Sequence, residues 1–506
     1  MLKAIKLITK SLILFILILC IGGVLFVNLV NPNRFKTVIT QEISKAIDKE
    51  VIIDGNIHWT FYPWLGLELD QVKVKNPTGF SEPFLATAQK LQLNLATLPL
   101  LKGQIHIGRI KIQKLNADLV TEANGHNNWQ TTKTKKSTSN SNSNINVEKL
   151  HVSSVSIVDG HIHWKNVPAK QDITIDSLNF TGQYFAFNKE FPITAHFSIA
   201  EPQFSANVFL KIKMLLPEFV DAKQMIEQMQ ADGSLELNQV KVNHLHINQI
   251  QSTLSIRKGS IRLSPMQAEM YHGTASGLAQ FTMNTSPSNF LIQQSLKQLN
   301  LGSLLQDTQK ERSMEGTLDL DTKLSGSGNN LNGQMNFTIR NGVLKNVSIP
   351  QVIGLVTALI HQKMPVKNSK DTPFTSFTGT MNIDNNVMHS DNLVLNSPSF
   401  KITGVGTTNL NTKEIHYDLK VTLLDSDLGK SIVKLQQALG GGIPVLVRGT
   451  YDHYTVQPNY AAVTAVTAAL LLEETGGQIV PAVKNVGDAV GKGVRDVGKV
   501  IKGIFH

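Results

Sequence analysis

One cysteine, Cys20, is all that 506 residues contain, so no disulfide framework is available and the fold must hold by packing alone. Charge is sparse as well: Asp, Glu, Lys and Arg make up 17% of the chain and aromatic residues 6%. The spacings that carry common chemistries are missing. There is no His-Glu-x-x-His, no Cys-x-x-Cys, no Gly-x-Ser-x-Gly elbow and no carboxylate pair set apart from the scattered Asp and Glu. Gly429-Lys430-Ser431 resembles the end of a phosphate loop, but Leu424 stands where its first glycine belongs. Gly493, Gly498 and Lys499 have that loop's spacing, yet Val500 replaces the hydroxyl that would hold magnesium. Gly404 and Gly406 lead to Asn409, where a dinucleotide loop needs glycine. The sequence therefore reads as non-enzymatic, with no cofactor and no metal. A net charge of +10 is spread along the chain without RNP-like or zinc-finger patterns, which argues against nucleic acid.

Against this scarcity stands one long apolar run. Ser11–Val30 carries no charge, is rich in Leu and Ile, and has the length of a membrane-crossing helix. Lys3, Lys6 and Lys10 precede it, which places residues 1–10 in the cytoplasm and the chain after Asn31 on the far side. The run is too long for a cleaved signal, and Leu19 before Cys20 does not suit a lipoprotein signal. In a bacterial cell this predicts a single-pass inner-membrane anchor, residues 11–30, carrying a periplasmic body.

Beyond the anchor, Phe35, Val38, Ile39, Ile43, Ala46 and Ile47 recur at helical spacing and predict an amphipathic helix over 31–50. From Val51 the period changes to two. Leu67, Leu69, Leu91, Leu93, Leu95, Ile105, Ile107, Leu254, Ile256, Ile261 and Leu263 alternate with polar residues, as strands with one apolar face do. The alternation also slips phase: Leu67 and Leu69 give way to Val72 and Val74, and Leu235 and Leu237 to Val240 and Val242. Each slip adds one residue, the mark of a β-bulge, and predicts a strongly curved sheet with its apolar face kept on one side. About 25 strands would fit the body, a ribbon roughly 120 Å long. Turns are expected at Arg257-Lys258-Gly259 and Asn341-Gly342, and short helices at Pro217–Met229, Leu296–Thr308, Ile349–Gln362 and Asp427–Leu439.

The organisation follows: a first β segment at 51–132, a Ser/Asn/Lys linker or loop at 133–146, a main β body at 147–460 and a Gly/Lys-rich helical tail at 461–506. In the tail an apolar stripe flanked by Lys492, Arg495, Lys499 and Lys502 has two readings, a basic amphipathic helix on anionic lipid or a helix closing the end of the sheet. Phe61, Tyr62 and Trp64 likewise suit either the membrane interface or a packed turn. The hexapeptide Asp-Gly-x-Ile-His-Trp occurs at 54–59 and again at 159–164. Its Asp-Gly is a turn signal leading into a strand, so the repeat reads as a structural unit with exposed histidines. His161 and His163 share a face, as do His244 and His246, but no third ligand accompanies either pair.

The anchor followed by GNIHWTFYPWLGLELDQVKVKNP at 55–77, the block GSLELNQVKVNHLHINQ opening at 233, RNGVLKNVSIPQVIG at 340–354, the stretch 390–423 and IPVLVRGTYDHYTVQPNY at 443–460 resemble, in that order, the AsmA family of Gram-negative envelope proteins. The Ser/Asn stretch and the Gly/Lys tail depart from the family pattern. The resemblance implies a mainly β fold with few helices: a long, curved, taco-shaped antiparallel sheet, a chorein-like repeating β-groove. It also implies carriage of phospholipid toward the outer membrane and support of outer-membrane assembly. The alternating residues named above from Leu67 to Leu263 are the expected groove lining. An apolar ribbon of that length needs a cover, and phospholipid acyl chains supply one at about 0.8 kcal/mol per buried CH2. The expected partners are phospholipid, the inner membrane, and the outer membrane with one of its proteins. The alternative is a non-enzymatic scaffold that influences outer-membrane protein insertion.

Overall fold

The structure is a computed structural model that describes residues 31–60, 66–95, 107–130, 153–218, 222–309, 312–358, 369–424, 430–450 and 453–474. The expected anchor 11–30, the linker 133–146, Phe61, Tyr62, Trp64, Ile105, Lys492, Arg495, Lys499 and Lys502 lie outside these residues. Among the described residues the chain is mainly β, with 22 strands and a few helices, none of them long and apolar enough to cross a membrane. It divides into two units, Met1–Asn243 with Leu254–Lys258, and His244–Thr253 with Gly259–His506.

The first unit opens with a 3-10 turn, Pro32–Phe35, in which the Asn31 side chain accepts the Asn33 N–H. Helix α1 (Lys36–Ile47) follows and stops at Asp48, which adopts a left-handed φ of 51°. Of its apolar stripe, Ile39 and Ile43 pack onto the strands, while Phe35, Val38 and Ile47 stay exposed. Strands β1 (Val51–Ile53) and β2 (Ile57–Thr60) both pair antiparallel with β3 (Gly66–Lys75), as one strand interrupted at Asp54-Gly55. The ladder continues through β4 (Phe84–Leu95), β5 (Ile107–Thr121), β6 (Ser154–Asn166), β7 (Gln171–Gln183), β8 (Glu190–Glu201), β9 (Phe204–Leu215) and, after α2 (Ala222–Gln228), β10 (Gln230–Val242).

One pairing departs from the expected antiparallel sheet. β5 and β6 run parallel, with Ile112 beside Ile157 and Leu119 beside Trp164. Parallel neighbours need a crossover, and a long connection adds little closure entropy. The chain turns back directly after β5 and is pinned there. Asn128, fully buried, accepts the Val120 N–H and donates to the Asp118 carbonyl and to Asn76.

The phase slip in β10 is a bulge, as expected, with a register shift between Asn238 and Lys241, whereas at the slip in β3 the pairing with β4 keeps step past a left-handed Gln71. Gln71 and Gln239 have φ of 52°, and so does Ser177; Lys114 has 51° and Asp159 56°. The register lines several of them up. Asp70 and Val72 oppose Lys90 and Ala88, which oppose Gln113 and Leu115, so Gln71 and Lys114 fall on one line across the sheet. Register shifts at Ile157/Gly160 and Asp176/Asn179 continue it into β6 and β7. The left-handed residues in β3, β5, β6 and β7 return apolar side chains to the same face after each phase slip. The second Asp-Gly of the repeated hexapeptide belongs to this row. It lies inside β6 instead of forming a turn before it.

In the second unit, β12 (Ser260–Met270) follows β11 (Leu245–Arg257), whose residues are divided between the units, through the expected turn at Lys258 and Gly259, both left-handed. Next come β13 (Gly273–Thr282), β14 (Asn289–Asn300), α3 (Leu301–Gln309), β15 (Met314–Ser327), β16 (Asn330–Leu344) and α4 (Ile349–Ala358). The unit ends with β17 (Thr372–Asp384), β18 (Val387–Asn396), β19 (Phe400–Asn409), β20 (Glu414–Leu423), α5 (Lys430–Ala438), β21 (Ile443–Thr450), β22 (His453–Pro458) and α6 (Tyr460–Glu474). From β12 to β22 each strand pairs antiparallel with the next. Val356 of α4, Leu435 of α5 and Val463 of α6 join Val421 and Val445 in a filled core with almost no exposed surface.

Three boundaries differ from expectation. Leu296–Asn300 is the end of β14, and the helix begins at Leu301, because Leu296 and Leu299 pair with Leu320 and Leu318. Of the helix expected over Pro217–Met229, the described residues show Ala222–Gln228, with Pro217 and Met229 outside it. Asn341-Gly342 is a bulge within β16, where two residues oppose Gly316, and not a hairpin turn.

Candidate functional site

Cross-strand register builds the first unit's apolar face. In one row Leu69, Leu91, Ile112, Ile157, Phe180, Ala195, Leu210 and Leu235 each oppose the next, from β3 to β10. Two residues along every strand, a second row runs Leu67, Leu93, Ile110, Val155, Gly182, Ile193, Ile212 and Gly233. On the other side of the bulges a third runs Val74, Ala86, Ala117, Ile162, Ile175, Ile199 and Ala206. Directly opposed residues share a face, and residues two apart along a strand share it too. The rows are therefore one continuous hydrocarbon surface.

Cover over this surface is uneven. At the β1–β3 end, Ile39 and Ile43 of α1 close over Val51, Ile53, Ile57, Leu69 and Val72, so Leu69 is 0% exposed. Further along, Ile112, Ile157, Phe180, Leu210 and Leu235 remain half-buried. Large apolar side chains left in that state across neighbouring strands form one contiguous apolar strip.

The opposite face is polar and paired. Glu68 accepts from Lys90 and Gln92, and the Lys90 bond in particular holds its carboxyl below the usual range. The same contact raises Lys90. His58 meets Asp70 at 3.2 Å, His161 meets Asp176 at 2.5 Å, and His163 bridges Asp172 at 2.9 Å and Asp118 at 3.3 Å. The histidines thus contact carboxylates on the solvated side. Among the described residues no group of His, Cys, Asp and Glu is arranged to hold a metal.

The expected groove residues divide by this geometry. Leu67, Val74, Leu91 and Leu93 pack around the α1-covered cluster of Leu69 and Val72. Leu95 opposes Ile107 at the strand ends. Leu235 and Leu237 lie half-buried on β10, Val240 is buried, and Val242 is 38% exposed. Leu254 is buried and Ile256 half-buried on β11, and Ile261 and Leu263 are half-buried on β12 of the second unit. Sequence reasoning omitted β6 to β9 from the face. Their alternation was present in stretches such as Phe191, Ile193, Ala195, but only pairing joins those strands to the others.

A continuous one-sided apolar ladder with a bulge line is the architecture that the sequence resemblance anticipated, and the AsmA family profile matches residues 1–215 and 215–393. The chain belongs to the AsmA family. Two Escherichia coli (strain K12) proteins are similar to this AsmA-family chain. Protein AsmA is 26% identical over 103 residues, 20% of this chain and 16% of its own length. The AsmA family protein YhjG is 23% identical over 125 residues, 22% of this chain and 18% of its own length. The matched segments are thus a minor part of either relative, and they bear on the family and not on a shared activity.

Proposed function

We propose that this AsmA-family protein acts in the cell envelope as a non-enzymatic phospholipid carrier, anchored in the inner membrane by residues 11–30 with its body in the periplasm. The apolar rows from β4 to β10, in which Ile112, Ile157, Phe180, Leu210 and Leu235 are only half-buried while Ile193, Ala195 and Ile212 are buried, carry the reading together with their polar reverse face. Acyl chains laid on those rows replace water against Ile, Leu and Phe at about 0.8 kcal/mol per CH2. Movement along the rows needs no bond made or broken, because neighbouring Leu, Ile and Val positions offer hydrocarbon nearly equal contact. Supply of phospholipid to the outer membrane, and with it support of outer-membrane assembly, follows from that activity.

Photo-crosslinking residues placed at Ile157 and Leu210 in the full-length protein test it. Both should capture phospholipid, identified by mass spectrometry, while Lys111 and Ser156 on the polar face should not. Equal capture on both faces, or protein adducts alone at Ile157 and Leu210, would reject the carrier in favour of a scaffold for outer-membrane proteins.

A further inference from the structure

The loop between β7 and β8, Tyr184 to Lys189, places aromatic side chains where the apolar face runs out. Phe185 turns inward. Its ring lies 4.8 Å from that of Phe191, and a Cβ on Gly182 would meet it at 2.3 Å, so it rests on the second apolar row. Its neighbours turn outward: Tyr184 is 70% exposed and Phe187 40%. The backbone holds them there. The Tyr184 N–H donates to the Ser153 carbonyl at 2.5 Å, and the Asn188 N–H donates to the Leu216 carbonyl at 2.8 Å. Tyr184 itself sits at a left-handed φ of 57°, a conformation unusual for a bulky residue.

We propose that Tyr184 and Phe187 seat this loop in the interfacial region of a phospholipid bilayer, making this end of the strands the place where acyl chains enter or leave the apolar face. Tyrosine suits that depth because its ring is apolar and its hydroxyl is wet. Exposed Lys189, at the end of the same loop, supplies a cation for lipid phosphate. Continuity identifies the occupant as lipid. Phe185 rests on Gly182 of the second row, where Ile193 and Ile212 are buried, and two residues further along each strand Phe180 and Leu210 are half-buried, so an apolar strip continues inward from the loop. The route rests on the carrier reading, but the membrane contact itself does not.

The test uses the full-length chain with Cys20→Ser and an environment-sensitive fluorophore on Ala186→Cys, in phosphatidylethanolamine/phosphatidylglycerol proteoliposomes. A control places the label on Gln203→Cys, in the exposed β8–β9 turn at the far end of β8, roughly 40 Å away along the strand. Brominated phospholipid is supplied in the host vesicles or in a second, added population. Quenching at position 186 in either arrangement, absent at 203 and lost in Tyr184→Ser/Phe187→Ser, is the expected result. Three outcomes overturn the proposal: no quenching in either arrangement, quenching that survives the double substitution, or an emission change that follows chain concentration and not brominated lipid, which marks a second copy as the occupant. Phospholipid capture at Ile157 in the double variant separates the two claims. If capture persists while quenching never occurs, the loop proposal fails and the carrier stands.

Discussion

Glu68, Asp232, Asp307, Asp319, Asp321 and Asp371 are each held below the ordinary carboxylate range by donors that reach them across the sheet or from a turn. For Asp307 the largest cause is the His246 ring at 2.8 Å, followed by the Tyr271 hydroxyl at 2.9 Å, and these bonds tie α3 to β11 and to the β12–β13 turn. A carboxylate depressed in the folded state contributes stability that is complete above its unfolded pKa and lost as pH falls through the folded one. The urea midpoint should therefore stay level from neutral pH to about 5 and decline below about 4. A midpoint that rises on acidification would contradict the assignment. Asp319 offers a single-site check, since it accepts the Gln298 N–H within the β14 bulge at 2.8 Å and binds Arg340. Asp319→Asn should cost about 1.5 kcal/mol in chemical denaturation. At the bulge line itself, Gln239 has a left-handed φ, so Gln239→Val should cost about 1 kcal/mol while Gln239→Gly costs nothing measurable.

Elements differ in how completely they are filled, and that difference separates core from face. Leu435 of α5 is 1% exposed within the second unit's helix-covered core. Ile157 of β6 is only half-buried in the first unit's apolar row. Leu435→Ala should lose about 3 kcal/mol through cavity formation, whereas Ile157→Ala should lose only about 1 because water or lipid already meets its side chain. Equal losses in thermal or urea unfolding would mean that the β6 face is packed as tightly as the core. Close strand approach sets a second contrast. A Cβ on Gly233 would lie 2.1 Å from the Lys211 carbonyl oxygen, so Gly233→Ala must push β10 from β9. Limited proteolysis should then reach that hairpin sooner than in the native chain.

For the molecule, each unit's own architecture predicts its dynamics. Amides of β19 to β21, which lie over the helices in the second unit, should exchange hydrogen slowest. Those of β5 to β8, whose apolar face is less completely covered at Ile112, Ile157 and Phe180, should exchange faster. Added phospholipid should slow exchange in β5 to β8 and leave β19 to β21 unchanged. Slowing confined to β19 to β21 would move the lipid site away from the rows described above. Paired charges make the corresponding functional variant, and the structure guides their choice. Val240 is buried and would unfold if charged, so Ile157→Glu with Leu210→Glu is the pair expected to abolish phospholipid co-purification while circular dichroism stays native.

Much of this was already written in the order of the residues. Alternation with phase slips specified strands, bulges and a one-sided apolar surface, because a period of two and its one-residue insertions are local properties of the chain. Lys258-Gly259 announced its own turn for the same reason. Asn341-Gly342 carried a similar signal and became a bulge, because pairing of β16 with β15 and β17 outweighed the preference of two residues. Only tertiary structure decided that β5 and β6 run parallel, that α1 closes over Leu69 and Val72, and that helices fill the second unit's core. Each of those outcomes depends on which distant segments meet, and register and cover are properties of the meeting, absent from either segment alone.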